Sequence, residues 1–329
     1  MKKILPAALS LVLCLALLFG CAPKAPLVLE NLPAVRMASL KGPTTMGLVK
    51  LLSDAKSGLT SYALESEVYG TAEEVFALLI KGKVDIAAIP ANLAGVLYNK
   101  TNGEIQAAAV NTLGVLYIVE NGDSIHSVSD LRGKTIYSTG KGTTPEFVLN
   151  YILSKNGIDP ATDLKIEYKS EATEIAAMLR SSDSGAVALL PQPYVTSVLM
   201  QNKDFRIALD LTHEWDEVSE DGALVTGVIV VRREFAENSP ELLKSFLSDC
   251  ADSAKYVNAN PSKAGKLIEE YGIVANSKIA ATAIPHCNIT YIGGAEMKAL
   301  LSGYLSVLFE QNPKSVGGVM PDEGFYLAS

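Results

Sequence analysis

The feature that most constrains the fold is an alternation of short apolar segments with longer amphipathic ones, repeated along most of the chain. For example, EEVFALLIKGK (73–83) has helical periodicity and ends near Gly82, and VDIAAIP (84–90) follows it as a segment that is nearly apolar on both faces. A strand that is apolar on both faces is typical of a parallel sheet covered by helices on each side. The alternation therefore predicts an α/β protein.

The alternation runs through two blocks of the sequence, and the second block opens near Asp123. Strands are predicted at 35–40, 84–90, 105–111, 113–120, 134–138, 164–170, 185–191, 205–211 and 226–235. Helices are predicted at 44–55, 73–83, 145–156, 171–182, 240–257, 261–271 and 295–311. The polar segment from His213 to Gly222 interrupts the pattern, and we expect a surface loop there. The alternative is that His213 and Trp215 face the mouth of a ligand cleft.

The composition limits the classes of function. The chain has 329 residues, of which 48% are hydrophobic and 19% charged, which excludes a disordered chain and fits a protein of about two globular domains. Its formal net charge is −8, whereas nucleic-acid binders usually carry a basic surface. We therefore expect no nucleic-acid partner.

The N-terminus has the pattern of an export signal. Two lysines, Lys2 and Lys3, precede an apolar run at 4–20 that is too short for an ordinary membrane span but suits a signal peptide. The run ends in LFGC (18–21), which resembles the bacterial lipobox. The resemblance implies that residues 1–20 are removed and that Cys21 is lipidated, with 21–33 as a tether. An ordinary secretory signal and an uncleaved anchor are the alternatives.

Two further cysteines, Cys250 and Cys287, remain after this cleavage. Cys250 falls on the apolar stripe of a predicted helix, so we expect a small buried hydrophobic side chain there. The sequence leaves open whether the two cysteines form a disulfide.

A short repeat marks one candidate site in each block. KGPTT (41–45) and KGTTP (141–145) each follow a predicted strand and open a predicted helix. Both offer free backbone N–H groups and hydroxyls at the carboxyl end of a strand, where ligands bind in open α/β sheets. We therefore expect the two loops to face each other across a polar or anionic ligand. The alternative is that both threonine pairs only cap their helices.

Other chemistries find no support in the sequence. The three histidines are widely spaced, and no paired cysteine motif or Gly-x-Ser-x-Gly turn occurs. We therefore expect no catalytic residues, no metal and no cofactor. No pair of an acidic and an aromatic residue marks a site for a cationic pyrimidine or an amino acid.

Several segments in series resemble one protein family. After the lipobox these are GKVDIAAIP (82–90), DLRGKTIYSTGKGTTPEFVLNYIL (130–153) and TGVIVVRREF (226–235), and DLRGK (130–134) is the most specific of them. Together they resemble the solute-binding lipoproteins of ATP-driven importers, in the branch for nitrate, sulfonates and thiamine precursors. The resemblance covers essentially the whole chain after residue 20.

The resemblance implies the type II periplasmic-binding fold, in which two α/β lobes are joined by two crossovers around a ligand cleft. It places the crossovers near Glu120–Ser127 and Leu211–Val225, so that lobe one comprises 34–122 plus 226–329 and lobe two 123–225. The ligand-binding residues that it implies lie at strand ends and helix starts. They are Lys41, Gly42, Thr44, Thr45, Tyr69, Asn92, Asn111, Thr112, Thr139, Gly140, Lys141, Gly142, Thr143, Thr144, Gln192 and Tyr194.

The function implied is capture of a small polar or anionic solute and its delivery to the permease and ATPase of an ABC importer. The protein would be a monomer, held on the outer face of the cell membrane by the lipid on Cys21. A lipoprotein sensor that binds solute without transport is an alternative. Enzymes of the pyrimidine-synthase or menaquinone-pathway type share the fold, but the export signal argues against that class.

Overall fold

The computed structural model describes residues 32–180, 185–219 and 222–328. The predicted signal peptide, Cys21 and most of the predicted tether lie outside these residues. Within the described residues, none of the helices is both long and apolar enough to cross a bilayer.

Strands and helices alternate along the described chain. The strands are β1 (Ala34–Leu40), β2 (Ala63–Tyr69), β3 (Ile86–Pro90), β4 (Ile105–Thr112), β5 (Leu116–Asn121), β6 (Thr135–Ser138), β7 (Lys165–Tyr168), β8 (Val187–Pro191), β9 (Phe205–Asp210), β10 (Gly227–Arg232) and β11 (Ile289–Ile292). The helices are α1 (Pro43–Met46), α2 (Val49–Lys56), α3 (Ala72–Ile80), α4 (Ala91–Lys100), α5 (Thr144–Lys155), α6 (Ala172–Arg180), α7 (Tyr194–Gln201), α8 (Leu211–Asp216), α9 (Arg233–Asn238), α10 (Pro240–Ala259), α11 (Pro261–Glu270), α12 (Ser277–Ala283) and α13 (Gly294–Gln311). Short 3-10 turns lie at 128–131, 284–286, 313–316 and 323–325.

The strands form two sheets. One sheet has six strands in the order β11-β4-β10-β3-β1-β2, and the other has five in the order β7-β6-β8-β5-β9. In each sheet the strands that alternate with helices pair in parallel, β2-β1-β3 in the first and β7-β6-β8 in the second, and antiparallel strands complete the sheet. We call the six-stranded sheet with its helices the first lobe and the five-stranded sheet with its helices the second lobe.

Burial explains why the apolar segments form central strands. Every residue of β4 and β5 is buried, and alternate residues of β3 belong to different apolar clusters. Ala87 and Ile89 pack on one face of the sheet, whereas Ile86 and Ala88 pack on the other. The six-stranded sheet is therefore covered on both faces, as the α/β prediction requires.

The chain enters the second lobe earlier than the sequence predicts. The crossover was expected at Glu120–Ser127, but Glu120 lies in β5, which pairs with β8 and β9 of the five-stranded sheet. The first crossover is therefore residues 113–115. The chain returns between Asp210 and Gly227, where Thr226 N donates to Thr112 O at 3.1 Å. Two apolar strands in succession do not reveal which sheet each one joins, and this is why the boundary was misplaced.

Other differences concern elements with a weak sequence signal. The helix predicted at 44–55 is two helices, α1 and α2, which meet at 47–48. Strand β2 was not predicted, because it is an edge strand with no fully buried residue and therefore shows no apolar pattern. Helix α4 and strand β11 were also missed.

The segment at 211–216 is a helix rather than the expected surface loop. Trp215 in α8 is fully buried, and its ring centroid lies 4.7 Å from that of Tyr151 and 5.7 Å from that of Tyr304. Its indole Nε1 donates to Gly222 O at 3.0 Å. Tyr151 belongs to α5 in the second lobe and Tyr304 to α13 in the first. Trp215 therefore fills the apolar junction between the lobes and does not face a cleft mouth, whereas His213 is exposed.

Both described cysteines are free thiols. Cys250 and Cys287 are buried, and burial raises the pKa of each thiol. The expectation that Cys250 is a small buried hydrophobic residue is confirmed. The two cysteines do not form a disulfide with each other.

The second lobe contains a fully buried carboxylate, Glu120. Arg206 Nη2 lies 3.0 Å from its Oε2, and the N–H groups of Ser124 and Ile125 donate to its two oxygens at 2.9 and 3.2 Å. Burial by itself would raise the pKa of Glu120, but a hydrogen bond from Ser124 Oγ, the two from the N–H groups and the charge of Arg206 outweigh it and lower the pKa. The carboxylate therefore stays charged inside the lobe.

Candidate functional site

The carboxyl ends of the parallel strands in the two lobes lie close together. Gly227 pairs with both Thr112 and Pro90, the last residue of β3, and Leu116 pairs with Pro191, the last residue of β8. Only three residues separate Thr112 from Leu116, so their Cα atoms are at most about 15 Å apart. In the first lobe α1 and α4 begin beside the ends of β1 and β3, and in the second lobe α5 and α7 begin beside the ends of β6 and β8. The helix starts of both lobes therefore converge on the region between the sheets.

Four residues form a tightly packed floor on the side of the first lobe. Asn111 Nδ2 donates to Thr44 O at 2.9 Å, and Thr112 Oγ1 lies 3.4 Å from Asn111 Oδ1. A Cβ atom on Gly227 would lie 2.4 Å from Thr44 Cγ2 and 2.9 Å from Asn111 Oδ1. Only glycine at position 227 allows Thr44 to pack this closely on the strand ends.

A cavity of about 470 Å³ lies between the lobes, and its lining does not include the four residues of this floor. The first lobe contributes Lys41, Gly42 and the segment Gly272–Asn276 with Ile279. The second lobe contributes Glu171, Thr173, Ala176, Pro193, Tyr194, Ser197 and Gln201. The volume is in the usual range for sites that bind small molecules.

Two charged side chains line this cavity, one from each lobe. They are Lys41 and Glu171, and no ion pair among the described residues involves either of them. Burial and the charge of Glu171 raise the pKa of Tyr194, so its phenol remains a hydrogen-bond donor at neutral pH.

Two of the helix starts around the cavity, those of α12 and α7, have backbone donors that bond to nearby side chains. Asn276 Oδ1 accepts from the N–H groups of Lys278 and Ile279 at 2.9 and 3.1 Å, and Gln192 Oε1 accepts from Thr196 N at 3.2 Å. These backbone donors are therefore engaged within the protein.

A buried polar chain connects the lobes at another point. Thr144 Oγ1 donates to Asn92 Oδ1 at 3.2 Å, and Tyr304 OH donates to Thr144 Oγ1 at 3.3 Å. Asn92 and Tyr304 belong to the first lobe and Thr144 to the second, and all three are buried. A second link is the bond from Tyr117 OH to His286 O, at 3.0 Å. The hydroxyl of Thr144 thus links the second lobe to the first through two hydrogen bonds.

The family model described as "ABC transporter, phosphonate, periplasmic substrate-binding protein" matches residues 49–281. The match spans well over half of the chain. The chain belongs to this family of periplasmic substrate-binding proteins. No curated protein sequence matches it.

Solved structures of binding proteins have the same fold. An ABC transporter protein from Parabacteroides distasonis is 24% identical with a TM-score of 0.75, and the match covers 90% of this chain and 99% of that one. The aliphatic sulphonate binding protein SsuA from Escherichia coli is 17% identical with a TM-score of 0.69, covering 91% and 95%. The nitrate-binding protein NrtA from Synechocystis PCC 6803 is 12% identical with a TM-score of 0.57, covering 81% and 75%. The predicted periplasmic-binding fold is therefore confirmed.

The structure distributes the sixteen candidate ligand-binding residues of this binding protein over several places. Lys41, Gly42 and Tyr194 line the interlobe cavity, while Thr44, Asn111 and Thr112 form the floor. Thr45 Oγ1 donates to Leu40 O, and Tyr69 OH donates to Glu67 at 2.6 Å, which raises the pKa of Tyr69 to about 12. Gln192, Asn92 and Thr144 are buried in the contacts described above. That these residues bind the ligand stays a prediction.

The loop at 139–143 lies beside a different cavity from Lys41. Lys141 Nζ is 5.9 Å from the ring centroid of Tyr168, and both line a cavity of about 400 Å³ with Glu146. Thr143 Oγ1 donates to Gly140 O at 2.7 Å, and Gly142 N donates to the Glu146 carboxylate. A Cβ on Gly140, whose φ is +72°, would lie 2.5 Å from Thr143 Oγ1. The two Lys-Gly loops are similar in sequence, but Lys41 and Lys141 line different cavities.

The cavity residues that the sequence did not reveal are mainly Glu171, Ser197, Gln201 and Asn276. Glu171 directly precedes α6 after β7, so the rule that ligands bind beyond strand ends would have found it. Ser197 and Gln201 lie further along α7, and Asn276 lies between two helices, so no motif marked them. The structure also brings Glu171 and Tyr194 to one cavity, which is the acid–aromatic combination that was not apparent from the sequence.

Replacing Thr144 with valine is expected to weaken the contact between the lobes. The change leaves Asn92 Oδ1 and the Tyr304 hydroxyl without their partner, and a buried group left in this state costs about 1–3 kcal/mol. Ligand-free Thr144→Val protein should be less stable in urea and have a larger radius of gyration by small-angle X-ray scattering. Thr143→Val is the control, because its hydroxyl bonds within its own loop. Equal radii for both variants would mean that Thr144 does not hold the lobes together.

Proposed function

We propose that this protein is a lipid-anchored, extracytoplasmic binding protein that captures a small polar or anionic solute and delivers it to the permease of an ABC importer. The observation that carries the proposal is the interlobe cavity, which is lined by both lobes beside the carboxyl ends of their strands. A ligand that contacts both lobes stabilises their closed arrangement. The family match supports the link to an ABC transporter.

The class of solute is supported by two observations. Lys41 gives the cavity a cation, and hydroxyl and amide side chains supply further hydrogen-bonding groups. Proteins of the same fold carry names that specify sulphonate and nitrate as their ligands. A sensor that binds solute without transport would have the same cavity, and an adjacent permease and ATPase in the genome would favour transport.

Binding and closure can be tested together. We expect purified protein lacking residues 1–20 to bind at least one of methylphosphonate, ethanesulfonate and nitrate in isothermal titration calorimetry, with one site per chain. Small-angle X-ray scattering should give a smaller radius of gyration when that anion is saturating. Ser197→Trp, which fills the cavity, should abolish binding, whereas Ser245→Trp on the outer surface should retain it. Binding without compaction, or binding that survives Ser197→Trp, would contradict capture between the lobes.

Anchoring depends on Cys21. If the thiol carries the lipid, Cys21→Ser should move the protein from the membrane fraction to the soluble fraction after ultracentrifugation. The wild-type protein should also show a mass increase that corresponds to acyl chains. A Cys21→Ser protein that remains in the membrane through its own apolar segment would contradict the lipoprotein assignment.

A further inference from the structure

The first lobe has an edge that lies opposite the interlobe cavity. Strands β1, β2, β3 and β4 run in the same direction, and β10 runs against them. The segments that precede the four strands and the end of β10 therefore share one edge of the sheet, whereas the cavity lies beyond the other edge. We call this the amino edge, and it comprises residues 32–33, 57–62, 81–85, 101–104 and 232–234 with their immediate neighbours.

Among the described residues, three large apolar side chains are exposed, and all three lie at the amino edge. Leu59, Ile80 and Val319 have exposed fractions of 71%, 58% and 66%. Leu59 lies in the turn before β2, and Ile80 ends α3, before β3. Val319 O accepts from Asn99 Nδ2 at 2.7 Å, next to the end of α4 and before β4. Single exposed apolar residues are common, but their collection at one edge indicates an interaction surface.

The amino edge also carries lysines that are free to bind anions. Lys81, Lys83 and Lys100 are exposed, and no ion pair among the described residues involves them. Exposed carboxylates such as Glu104 and Glu237 offset part of this charge. A partner of this edge must therefore use the lysines and the apolar side chains together.

The chain enters the first lobe at this same edge. Pro33 and Ala34 are exposed at the start of β1, and Pro33 O accepts from Ala63 N at the start of β2, at 3.0 Å. The chain from Leu32 back to Cys21 can span at most about 40 Å. A lipid on Cys21 would therefore hold the amino edge within about 40 Å of a bilayer.

We propose that the amino edge of the first lobe is a membrane-contact surface that rests on an anionic phospholipid bilayer. Its three exposed apolar side chains enter the headgroup region, and its three free lysines bind lipid phosphates. The inference rests on the proposed function, because the lipid on Cys21 supplies the nearby membrane. The second lobe and the interlobe cavity then point away from the bilayer, so the lobes can close without leaving it.

Lysine footprinting on vesicles tests this inference. Protein lacking residues 1–20 is coupled through Cys21 to a maleimide lipid in phosphatidylcholine vesicles that contain phosphatidylglycerol. Cys250 and Cys287 are buried, so Cys21 is the thiol that reacts. Acetylation of each lysine by a water-soluble reagent is then followed by mass spectrometry, and the reference is the same protein with Cys21 blocked by N-ethylmaleimide.

We expect Lys81, Lys83 and Lys100 to be acetylated several-fold more slowly in the coupled protein than in the blocked one. Lys155 and Lys203 are exposed lysines of the second lobe, and their rates should not change. The protection should be smaller on vesicles of phosphatidylcholine alone and in high salt, because screening weakens the attraction between lysines and lipid phosphates.

Variants separate the two parts of the surface. Lys100→Gln should weaken the contact roughly fivefold, the usual contribution of one basic residue near an anionic membrane, and so raise the reactivity of Lys81 and Lys83. Lys155→Gln is the matched control and should leave both rates unchanged. The combined variant Leu59→Ser, Ile80→Ser and Val319→Ser should also remove the protection, and its circular dichroism spectrum should match that of the wild type because all three side chains are exposed.

The outcomes distinguish this inference from the proposed function. If the lysines of the amino edge react equally in coupled and blocked protein, or if Lys155 and Lys203 are protected as strongly, the inference is wrong. Protection that survives the combined serine variant would also contradict it. The coupling is chemical and does not depend on lipidation in the cell, so such a result would leave the lipid anchor, which Cys21→Ser tests, and the capture of solute unaffected.

Discussion

Replacing Arg206 with methionine is expected to lower the free energy of unfolding by about 1.5–3 kcal/mol, the usual contribution of a hydrogen bond to a charged group, because it removes the positive partner of a buried charge. That charge is the carboxylate of Glu120, which has no exposed surface and lies 3.0 Å from Arg206 Nη2. Methionine retains the length and apolar contacts of the arginine stem, so the loss reports on the charge and on the hydrogen bonds of the guanidinium, which also reach Gly122 O and Ile125 O. Urea denaturation followed by circular dichroism at pH 7 measures the change.

A matched control is Lys165→Met. Lys165 pairs with Glu167 at 2.7 Å, but its side chain is 69% exposed. Exposed ion pairs contribute about 0–1 kcal/mol, so this variant should be close to the wild type. Equal losses for the two variants would show that burial of Glu120 does not determine the effect.

The effect of Arg206→Met should depend on pH. The folded-state pKa of Glu120 is lowered from the ordinary value of 4.5, so the stability it contributes is present above that value and is lost as the pH falls through the folded-state pKa. The wild-type protein loses this contribution in acid, whereas the variant keeps the hydrogen bonds from Ser124 and Ile125 and lacks only the part that Arg206 provides. The difference in stability between the two proteins should therefore shrink below about pH 4.5. A difference that stays constant down to pH 3 would contradict this account of Glu120.

Trp215→Ala is expected to cost about 3–5 kcal/mol of stability, the usual loss when a buried tryptophan is truncated. Trp215 is fully buried between Tyr151 of the second lobe and Tyr304 of the first, so the cavity that it leaves lies at their junction. The two lobes should then unfold less cooperatively, and a single urea transition should broaden or divide. Circular dichroism is the appropriate measurement, because this is the only tryptophan in the chain.

Trp215→Phe separates packing from hydrogen bonding. Phenylalanine keeps most of the aromatic contact but loses the bond from Nε1 to Gly222 O, so we expect a smaller loss that includes about 1 kcal/mol for that bond. If Trp215→Ala leaves the midpoint and steepness of unfolding unchanged, the aromatic junction does not couple the lobes.

How well the sequence predicted a strand or helix depended on whether that element has a regular pattern of apolar residues. Periodicity found β3 and the long C-terminal helices, because burial on defined faces leaves a regular pattern of apolar residues. It missed β2, whose residues are partly or fully exposed, and it placed the polar helix that carries Trp215 in a loop. Propensity and pattern cannot register a side chain that is buried by a distant element such as α13.

The candidate site was predicted by position better than by side chain. The rule that ligands bind beyond strand ends found Lys41 and Gly42, and the family resemblance implied Tyr194; all three line the cavity. The same rule does not say which way a side chain points: Lys141 stands at the equivalent position of the second lobe and lies beside Tyr168 instead. The pairing of Thr144 with Asn92, 52 positions away, depends on how the lobes meet and leaves no mark in either local sequence.

The place where the chain crosses between lobes affects the order in which the protein folds during synthesis. The second sheet is made from one continuous stretch, 116–210, and can be completed as soon as that stretch has left the ribosome. The first sheet cannot be completed from one continuous stretch, because β10 lies between β3 and β4 and is synthesised after all the strands of the second sheet. Until β10 arrives, β3 and β4 have no strand between them, and their inner edges are open to wrong partners. We therefore expect the first lobe, although its synthesis begins first, to complete its folding last. Its sheet stays open until residues 227–232 have been synthesised and insert between β3 and β4.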